Sequence, residues 1–392
     1  MSDPRAKKAL LCTITVFFWF AQYVYIPFLT PYLLTLAISA TLVGVIIGAY
    51  GLTQLLLRIP LGITVDLIRN HKIVILAGVF LAGISSLGML AFPSPGMLFL
   101  ANALSGVASS TWISFTILYP AYYESGQGTR AIGIINAFQN TGILLAFVAG
   151  GLLFARFGMR ALFVASFASG MAGSLLTLGI RHEPTARPAN VSVASLLLVV
   201  KDRRVIFYSL LCSVTYLMLF ATVFSFSTST ARELGATGPQ IGAFAMLYSV
   251  GCIAGSFFIA TSAARALGEK RLLSLAFTLL TLYCLCIPFV AGVRVFFPLH
   301  LVCGFGSGIL TSSLMAFATR GVDPGRKTTA MGFYQSIYCI GMTAGPVIMG
   351  MLIDHSSRRV AFLAVAAIAF ACALAVPVVY RSGYLDAKPL TD

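Results

Sequence analysis

Side chains able to bind a small molecule or carry a proton lie scattered inside long apolar stretches of this chain. His300 is the only histidine within such a stretch, and an imidazole with an ordinary pKa of about 6.5 can change charge near neutral pH. Arg58 supplies a cation that would attract an anionic group, or its long side chain extends to the cytoplasmic interface. The other candidate binding residues are amides and phenols: Gln22, Tyr23, Gln54, Asn102, Asn136, Asn140, Tyr216, Tyr334, Gln335 and Tyr338.

The composition indicates where these residues are held. Of 392 residues, 59% are hydrophobic and 9% are charged, whereas soluble proteins carry roughly 25% charged residues. The apolar runs are about 20 residues long, which fits helices that cross a bilayer rather than the alternating strands of a barrel. The sequence therefore predicts an all-α integral membrane protein with twelve transmembrane helices, at about 10–29, 42–63, 73–91, 97–119, 131–154, 161–180, 205–228, 240–260, 272–292, 295–319, 329–353 and 360–380.

The basic residues follow the loops rather than a nucleic-acid surface. With an inner N-terminus, nineteen Lys and Arg residues fall in inner loops and six in outer loops, leaving Arg58 within a span. This asymmetry is the positive-inside rule. It predicts an inner-membrane protein with both termini in the cytoplasm, surrounded by lipid and without a nucleic-acid partner.

Catalytic groupings are missing from the sequence pattern. All eleven carboxylates lie in loops or at the ends of apolar runs, and the eight cysteines form no C-x-x-C pair. No paired carboxylates, metal-ligand spacing or phosphate-binding loop is evident, so we expect no cofactor, no metal and no enzymatic activity. Because no carboxylate lies at mid-membrane, proton coupling would depend on His300. The alternative is that His300 lies at the outer membrane interface, near the end of its helix, and carries no proton.

The chain is built from two related halves. Ala131–Gly151 aligns without a gap with Ala330–Gly350 at an offset of 199 residues, and the glycines at positions 133, 142 and 151 recur at 332, 341 and 350. Elsewhere Tyr50 aligns with Tyr248, and Asn102-x-x-x-Gly106 with His300-x-x-x-Gly304. A repeat of half the chain predicts two pseudo-symmetric six-helix halves, residues 1–180 and 205–392, joined by a polar cytoplasmic linker at 181–204.

Two motifs resemble a known family. Gly62-x-x-x-Asp66, followed by the basic Lys72, resembles the signature of the major facilitator superfamily, although Leu67, Arg69 and Asn70 replace its usual Arg, Gly and Arg. Gly341-x-x-x-Gly345-Pro346-x-x-x-Gly350 is similar to the Gly-Pro motif of drug–proton antiporters in that superfamily, where it lies on the fifth helix rather than the eleventh.

The resemblance implies a mechanism and roles for these residues. A transporter of this family holds its substrate near the midplane and exposes it to each side in turn. By resemblance, Asp66 is a gating residue that meets a helix N-terminus of the opposite half, a contact that the helix dipole favours. Gly345 and Pro346 are assigned to gating or coupling on the same basis, together with Arg58 and His300.

These observations predict a monomeric secondary transporter for a small amphipathic or zwitterionic organic solute. Sugar phosphates and nitrate generally need paired basic residues, which the spans lack. The resemblance favours proton-coupled efflux by alternating access, with protons as the coupling ion. Uptake of an organic anion anchored by Arg58, and uniport, remain alternatives.

Overall fold

The computed structural model describes residues 4–68, 70–124, 127–180, 202–259, 261–320, 322 and 327–385. Within these ranges the chain is helical, with no strand. The helices of the first half are α1 Pro4–Tyr23, α2 Ile26–Thr35, α3 Ala40–Ile68, α4 His71–Ala91, α5 Pro95–Ser110, α6 Trp112–Ala121 and α7 Gly128–Leu178. Those of the second half are α8 Arg203–Ala221, α9 Ser227–Glu233, α10 Gly238–Phe258, α11 Ser262–Cys286, α12 Phe296–Ala318, α13 Lys327–His355 and α14 Arg358–Arg381.

The described residues form eleven helical stretches that are long and apolar enough to cross a membrane. One of them, Arg130–Leu178, is 49 residues long and contains two of the predicted spans. Gly158 interrupts α7 between them with φ 70° and ψ −167°, a backbone conformation that glycine adopts at little cost. The prediction of an all-helical membrane protein is therefore confirmed.

Three spans contain interruptions that the apolar pattern did not predict. The first breaks between α1 and α2, where Pro27 cannot donate a helical hydrogen bond and its ring would clash with the carbonyl of Tyr23. The fourth breaks at Thr111, between α5 and α6. The seventh contains a π-helical turn at Thr222–Phe226. Irregular backbone at membrane depth is tolerated where protein or a water-filled cavity surrounds it.

The first structural unit comprises residues 1–32, 49–188 and 237–242. Here α7 lies so close to α1 that a Cβ atom at Gly142 would come within 3 Å of the Val16 carbonyl oxygen. A Cβ at Gly106 of α5 would likewise meet the carbonyl of Tyr50 in α3. Aromatic rings also pack α1 against α6, with Phe18 stacked on Phe115 at 5.3 Å between ring centroids.

The second unit comprises residues 33–48, 189–236 and 243–392. A Cβ at Gly341 of α13 would come within 3 Å of the Ser213 carbonyl oxygen in α8. A Cβ at Gly304 of α12 would meet the carbonyl of Tyr248 in α10 in the same way. Gly106 and Gly304 therefore pack on the carbonyls of aligned tyrosines, so the sequence repeat is matched by a repeated helix contact.

We expect Gly341→Ala to destabilise the protein by about 1–3 kcal/mol, since the new methyl group would overlap backbone atoms of α8. Thermal unfolding in detergent measures the effect. The matched control is Gly332→Ala on the same helix, where a Cβ would have no neighbour within 4 Å. Equal melting temperatures for the two variants would contradict the packing role of Gly341.

Candidate functional site

The amide of Gln22 bonds to a neighbouring helix at both ends. Its Nε2 donates to the Ser105 carbonyl at 3.0 Å, and Ser105 Oγ donates to its Oε1. The Tyr25 hydroxyl also lies 3.3 Å from Ser105 Oγ. Gln22 is 1% exposed, so this predicted binding residue ties α1 to α5 in the first unit.

Gln54 and Arg58 form a chain of polar contacts along α3. Arg58 donates from its terminal nitrogen to Gln54 Oε1 at 2.6 Å, and Gln54 Nε2 donates to the Tyr50 carbonyl at 3.3 Å. The Tyr50 hydroxyl lies 2.6 Å from Ser109 Oγ on α5. Gln54 is buried while Arg58 is half-buried, so this guanidinium is held against a neutral amide.

The remaining candidates of the first unit differ in exposure. Tyr23 is half-buried, with its ring centroid 5.6 Å from that of Trp19 and 6.0 Å from that of Phe147. Asn102 is buried in α5. On α7, Asn136 is half-buried and Asn140 is exposed, and Asn140 Nδ2 donates to the Asn136 carbonyl at 3.0 Å. The two asparagines therefore lie on one face of α7, as their spacing predicts.

The second unit contains a group of stacked tyrosines. The Tyr216 and Tyr338 rings stack with centroids 4.4 Å apart and planes inclined by 21°. Tyr334 meets Tyr338 edge-on at 5.9 Å, and its hydroxyl donates to Cys212 Sγ at 2.9 Å. Tyr334 is buried, whereas Tyr216, Tyr338 and Gln335 are half-buried. The stacked pair joins α8 to α13 and keeps part of both rings accessible.

Two phenylalanines that the sequence interpretation did not include extend this aromatic group. Phe220 lies 6.3 Å from Tyr216 and 5.4 Å from Phe224 between ring centroids. Phe224, in the π-helical turn, meets the Tyr248 ring edge-on at 5.4 Å. The four-residue spacing of positions 216, 220 and 224 was a usable signal, because such residues share a helix face.

His300 is buried among aromatic rings. Its ring stacks on Phe244 at 5.4 Å and meets Tyr283 edge-on at 5.5 Å between centroids. Nδ1 lies 2.9 Å from the Phe296 carbonyl oxygen, which fixes it as the protonated nitrogen of the neutral ring. Nε2 is buried and has no hydrogen-bond partner among the described residues. The imidazole thus keeps one lone pair available inside the protein.

The predicted gating residues have different surroundings. The backbone of Asp66 belongs to α3, but its side chain lies outside the described residues, so its gating role stays a prediction. A Cβ at Gly345 would come within 3 Å of the Leu217 carbonyl in α8, and one at Gly44 of α3 would do so with the Pro346 carbonyl. The Gly345-Pro346 pair therefore packs α13 against two different helices.

Two ion pairs among the described residues lie in the second unit. Glu269 pairs with Arg320 and accepts a hydrogen bond from the Tyr380 hydroxyl at 3.2 Å. Glu233 accepts from Arg358 at 2.6 Å. The part of the chain that the structure describes contains no group of three His, Cys, Asp or Glu side chains that could hold a metal ion.

Comparison with known proteins identifies the class. The model of the Major Facilitator Superfamily matches residues 11–230 and residues 210–390. These ranges cover nearly the whole chain. The chain therefore belongs to the Major Facilitator Superfamily, and it is a multi-pass membrane transporter of that type.

Individual relatives are more distant. The inner membrane transport protein YajR of Escherichia coli (strain K12) is 31% identical over 165 residues, which is 41% of this chain and 36% of that protein. The match thus spans about a third of that relative. A bacterial homologue of the human lysosomal transporter Spinster superposes with a TM-score of 0.80 at 15% identity, covering 97% of this chain and 98% of the other. The nucleoside transporter NupG gives 0.74 at 17% identity, with 96% and 99% covered.

We expect Gln22→Ala to lower stability by about 1–3 kcal/mol, because it removes both hydrogen bonds that this buried amide makes with Ser105. Asn140→Ala is the control, since this amide is exposed and its loss should change stability by less than about 0.5 kcal/mol. Thermal unfolding in detergent distinguishes the two. A Gln22 variant as stable as the Asn140 variant would show that the α1–α5 link is not structural.

Proposed function

We propose that this protein moves a small amphipathic or zwitterionic organic solute out of the cell by proton-coupled alternating access across the inner membrane. The observation that carries the substrate class is the half-buried Tyr216–Tyr338 stack. Aromatic faces bind flat or apolar parts of a ligand, and the neighbouring Gln335 can hydrogen-bond a polar part. The candidate residues of the second unit carry no permanent charge.

One of the transporters named above is named for a solute of this kind. A nucleoside, which NupG is named for, combines a flat heteroaromatic base with a hydroxylated sugar. Stacking and amide hydrogen bonds would suit both parts. At 17% identity, this similarity supports a common fold only. The substrate depends on the side chains of the binding site.

His300 supports the proton-coupled part of the proposal. It is 1% exposed, and its Nε2 lacks a hydrogen-bond partner among the described residues. A buried group with an open acceptor can take up a proton when its surroundings change during transport. Since the sequence provides no carboxylate in mid-span, this imidazole is the proposed proton carrier.

The first experiment uses purified protein in liposomes that contain a trapped pH dye and an imposed proton gradient. Nucleosides, hydrophobic amines, zwitterionic amino-acid-like compounds and organic acids are added in turn, with empty liposomes as the control for passive proton movement. Protein-dependent proton release with one of the first three classes supports the proposal. Labelled solute that crosses without proton movement would refute coupling, and transport of organic acids alone would favour uptake anchored by Arg58.

We expect His300→Gln to abolish the dependence of solute flux on the proton gradient, because glutamine keeps hydrogen-bonding capacity but cannot take up a proton in this range. His355→Gln is the matched control. His355 makes the same type of Nδ1 contact, at 3.0 Å to the Met351 carbonyl, but is exposed. Gradient-driven flux that persists in the His300 variant would exclude it as the coupling residue.

We expect Tyr338→Ala to raise KM about 2- to 10-fold, because loss of one stacked ring costs about 0.5–1.5 kcal/mol beyond the lost contact area. Tyr338→Phe keeps the ring and should stay within about twofold of the parent protein if stacking dominates. Initial rates of labelled solute uptake into liposomes measure both. An unchanged KM in the alanine variant would remove this tyrosine from the binding site.

A further inference from the structure

A carboxylate from one helix caps the beginning of another in the second unit. Asp354 lies in the last turn of α13, and its two carboxylate oxygens accept hydrogen bonds from the first two backbone N–H groups of α3. The distances are 3.0 Å from Ala40 N and 2.7 Å from Thr41 N. Residues 33–48 and 243–392 belong to the same unit, so the contact is internal to it.

The hydrogen bonds at this helix end are complete only with Asp354. The first four N–H groups of a helix have no partner within the helix. In α3 the third donates to Ser39 Oγ at 3.2 Å and the fourth to the Ser39 carbonyl at 3.0 Å. Asp354 takes the other two. Because a carboxylate at a helix N-terminus also interacts favourably with the helix dipole, these bonds are charge-assisted.

Below this cap the two helices meet through backbone rather than side chains. A Cβ atom at Gly350 would come within 3 Å of the Ala40 carbonyl oxygen, and one at Gly44 would do the same at Pro346. Gly48 faces the Thr343 carbonyl, where a Cβ would lie at 2.7 Å. At these three glycines no side chain of the glycine position separates the two helices, so their backbones meet directly along a seam. The hydrogen bonds of Asp354 add a directional polar contact at the end of this seam.

The aligned helix end of the second half is capped differently. At the start of α10, Thr237 N donates to Gln240 Oε1 at 2.8 Å, so α10 caps itself. The position that aligns with Asp354 at the repeat offset is Ala155, which has no carboxylate. In the first unit, α7 and α10 still pack closely through Gly151 and Gly242. The carboxylate bridge is therefore not a requirement of the close glycine contact.

We propose that Asp354 is a latch: it holds the start of α3 against the end of α13 and favours the transport state in which this seam is closed. The inference rests on the proposed alternating-access function, which requires helix ends to part and rejoin during each cycle. The Asp354 side chain is exposed to solvent, so water can replace its two bonds when the seam opens. A latch of this strength biases an equilibrium without locking it.

The test measures how often the seam opens, without using substrate. Ile47 lies on the α13-facing side of α3 by its spacing from Gly44 and is 6% exposed. A cysteine introduced there (Ile47→Cys) is reacted with a water-soluble maleimide in purified protein, and the modified peptide is quantified over time by mass spectrometry. We expect Asp354→Ala to raise its labelling rate roughly two- to fivefold, with Asp354→Asn in between.

Two controls separate the latch from general loss of structure. Ser357→Ala removes the side-chain cap of a different helix end, the bond of 3.2 Å from Val360 N at the start of α14, so it should leave the labelling rate near that of the parent. Ile135→Cys reports from a fully buried position in the first unit and should label equally slowly in all variants.

Unchanged labelling at position 47 in both Asp354 variants would overturn the proposal, as would an equal rise in the Ser357 variant or at position 135. Where the alanine variant fails to fold, the near-isosteric Asn variant decides the result. Because labelling needs no solute, the experiment tests the latch independently of the proposed substrate class and proton coupling.

Discussion

The structure depends first on satisfying the backbone within each helix. A bilayer offers no water to unpaired N–H and C=O groups, so spanning segments must be helical and helix ends need partners. Apolar side chains gain little from leaving lipid, and helices instead associate through close contact. The glycines at 106, 142, 304 and 341 meet carbonyl oxygens of neighbouring helices and allow that contact. Asp354 supplies acceptors to the first two N–H groups of α3, at a helix end that is open to solvent.

The same constraint sorts the polar side chains into two groups. Gln22 bonds Ser105 with both ends of its amide, and the Tyr50 hydroxyl lies within hydrogen-bond distance of Ser109. These groups therefore form hydrogen bonds with neighbouring helices. Tyr216, Tyr338 and Asn140 keep accessible surface. The buried groups tie helices together, and the accessible ones are the candidates on which the proposed function rests.

Family membership determines the fold and the general activity, but the solute depends on a few side chains. The Spinster homologue and NupG share the fold with this chain at 15% and 17% identity. The proposed function rests on aromatic stacking in the second unit and on a buried imidazole. Neither follows from the fold, because the same helices could carry other side chains at these positions.

The sequence by itself determined the helical membrane class and the repeat, since hydropathy and internal similarity are properties of the chain alone. It also placed Asn136 with Asn140, and Gln54 with Arg58, because helical spacing fixes local neighbours. Only the tertiary structure decided which helices meet and that both ends of the Gln22 amide bond to Ser105. It also decided that Phe220 and Phe224 extend the tyrosine group and that Asp354 caps α3. Those contacts join residues far apart in sequence, such as Ala40 and Asp354, and no local pattern encodes which distant partner completes a hydrogen bond.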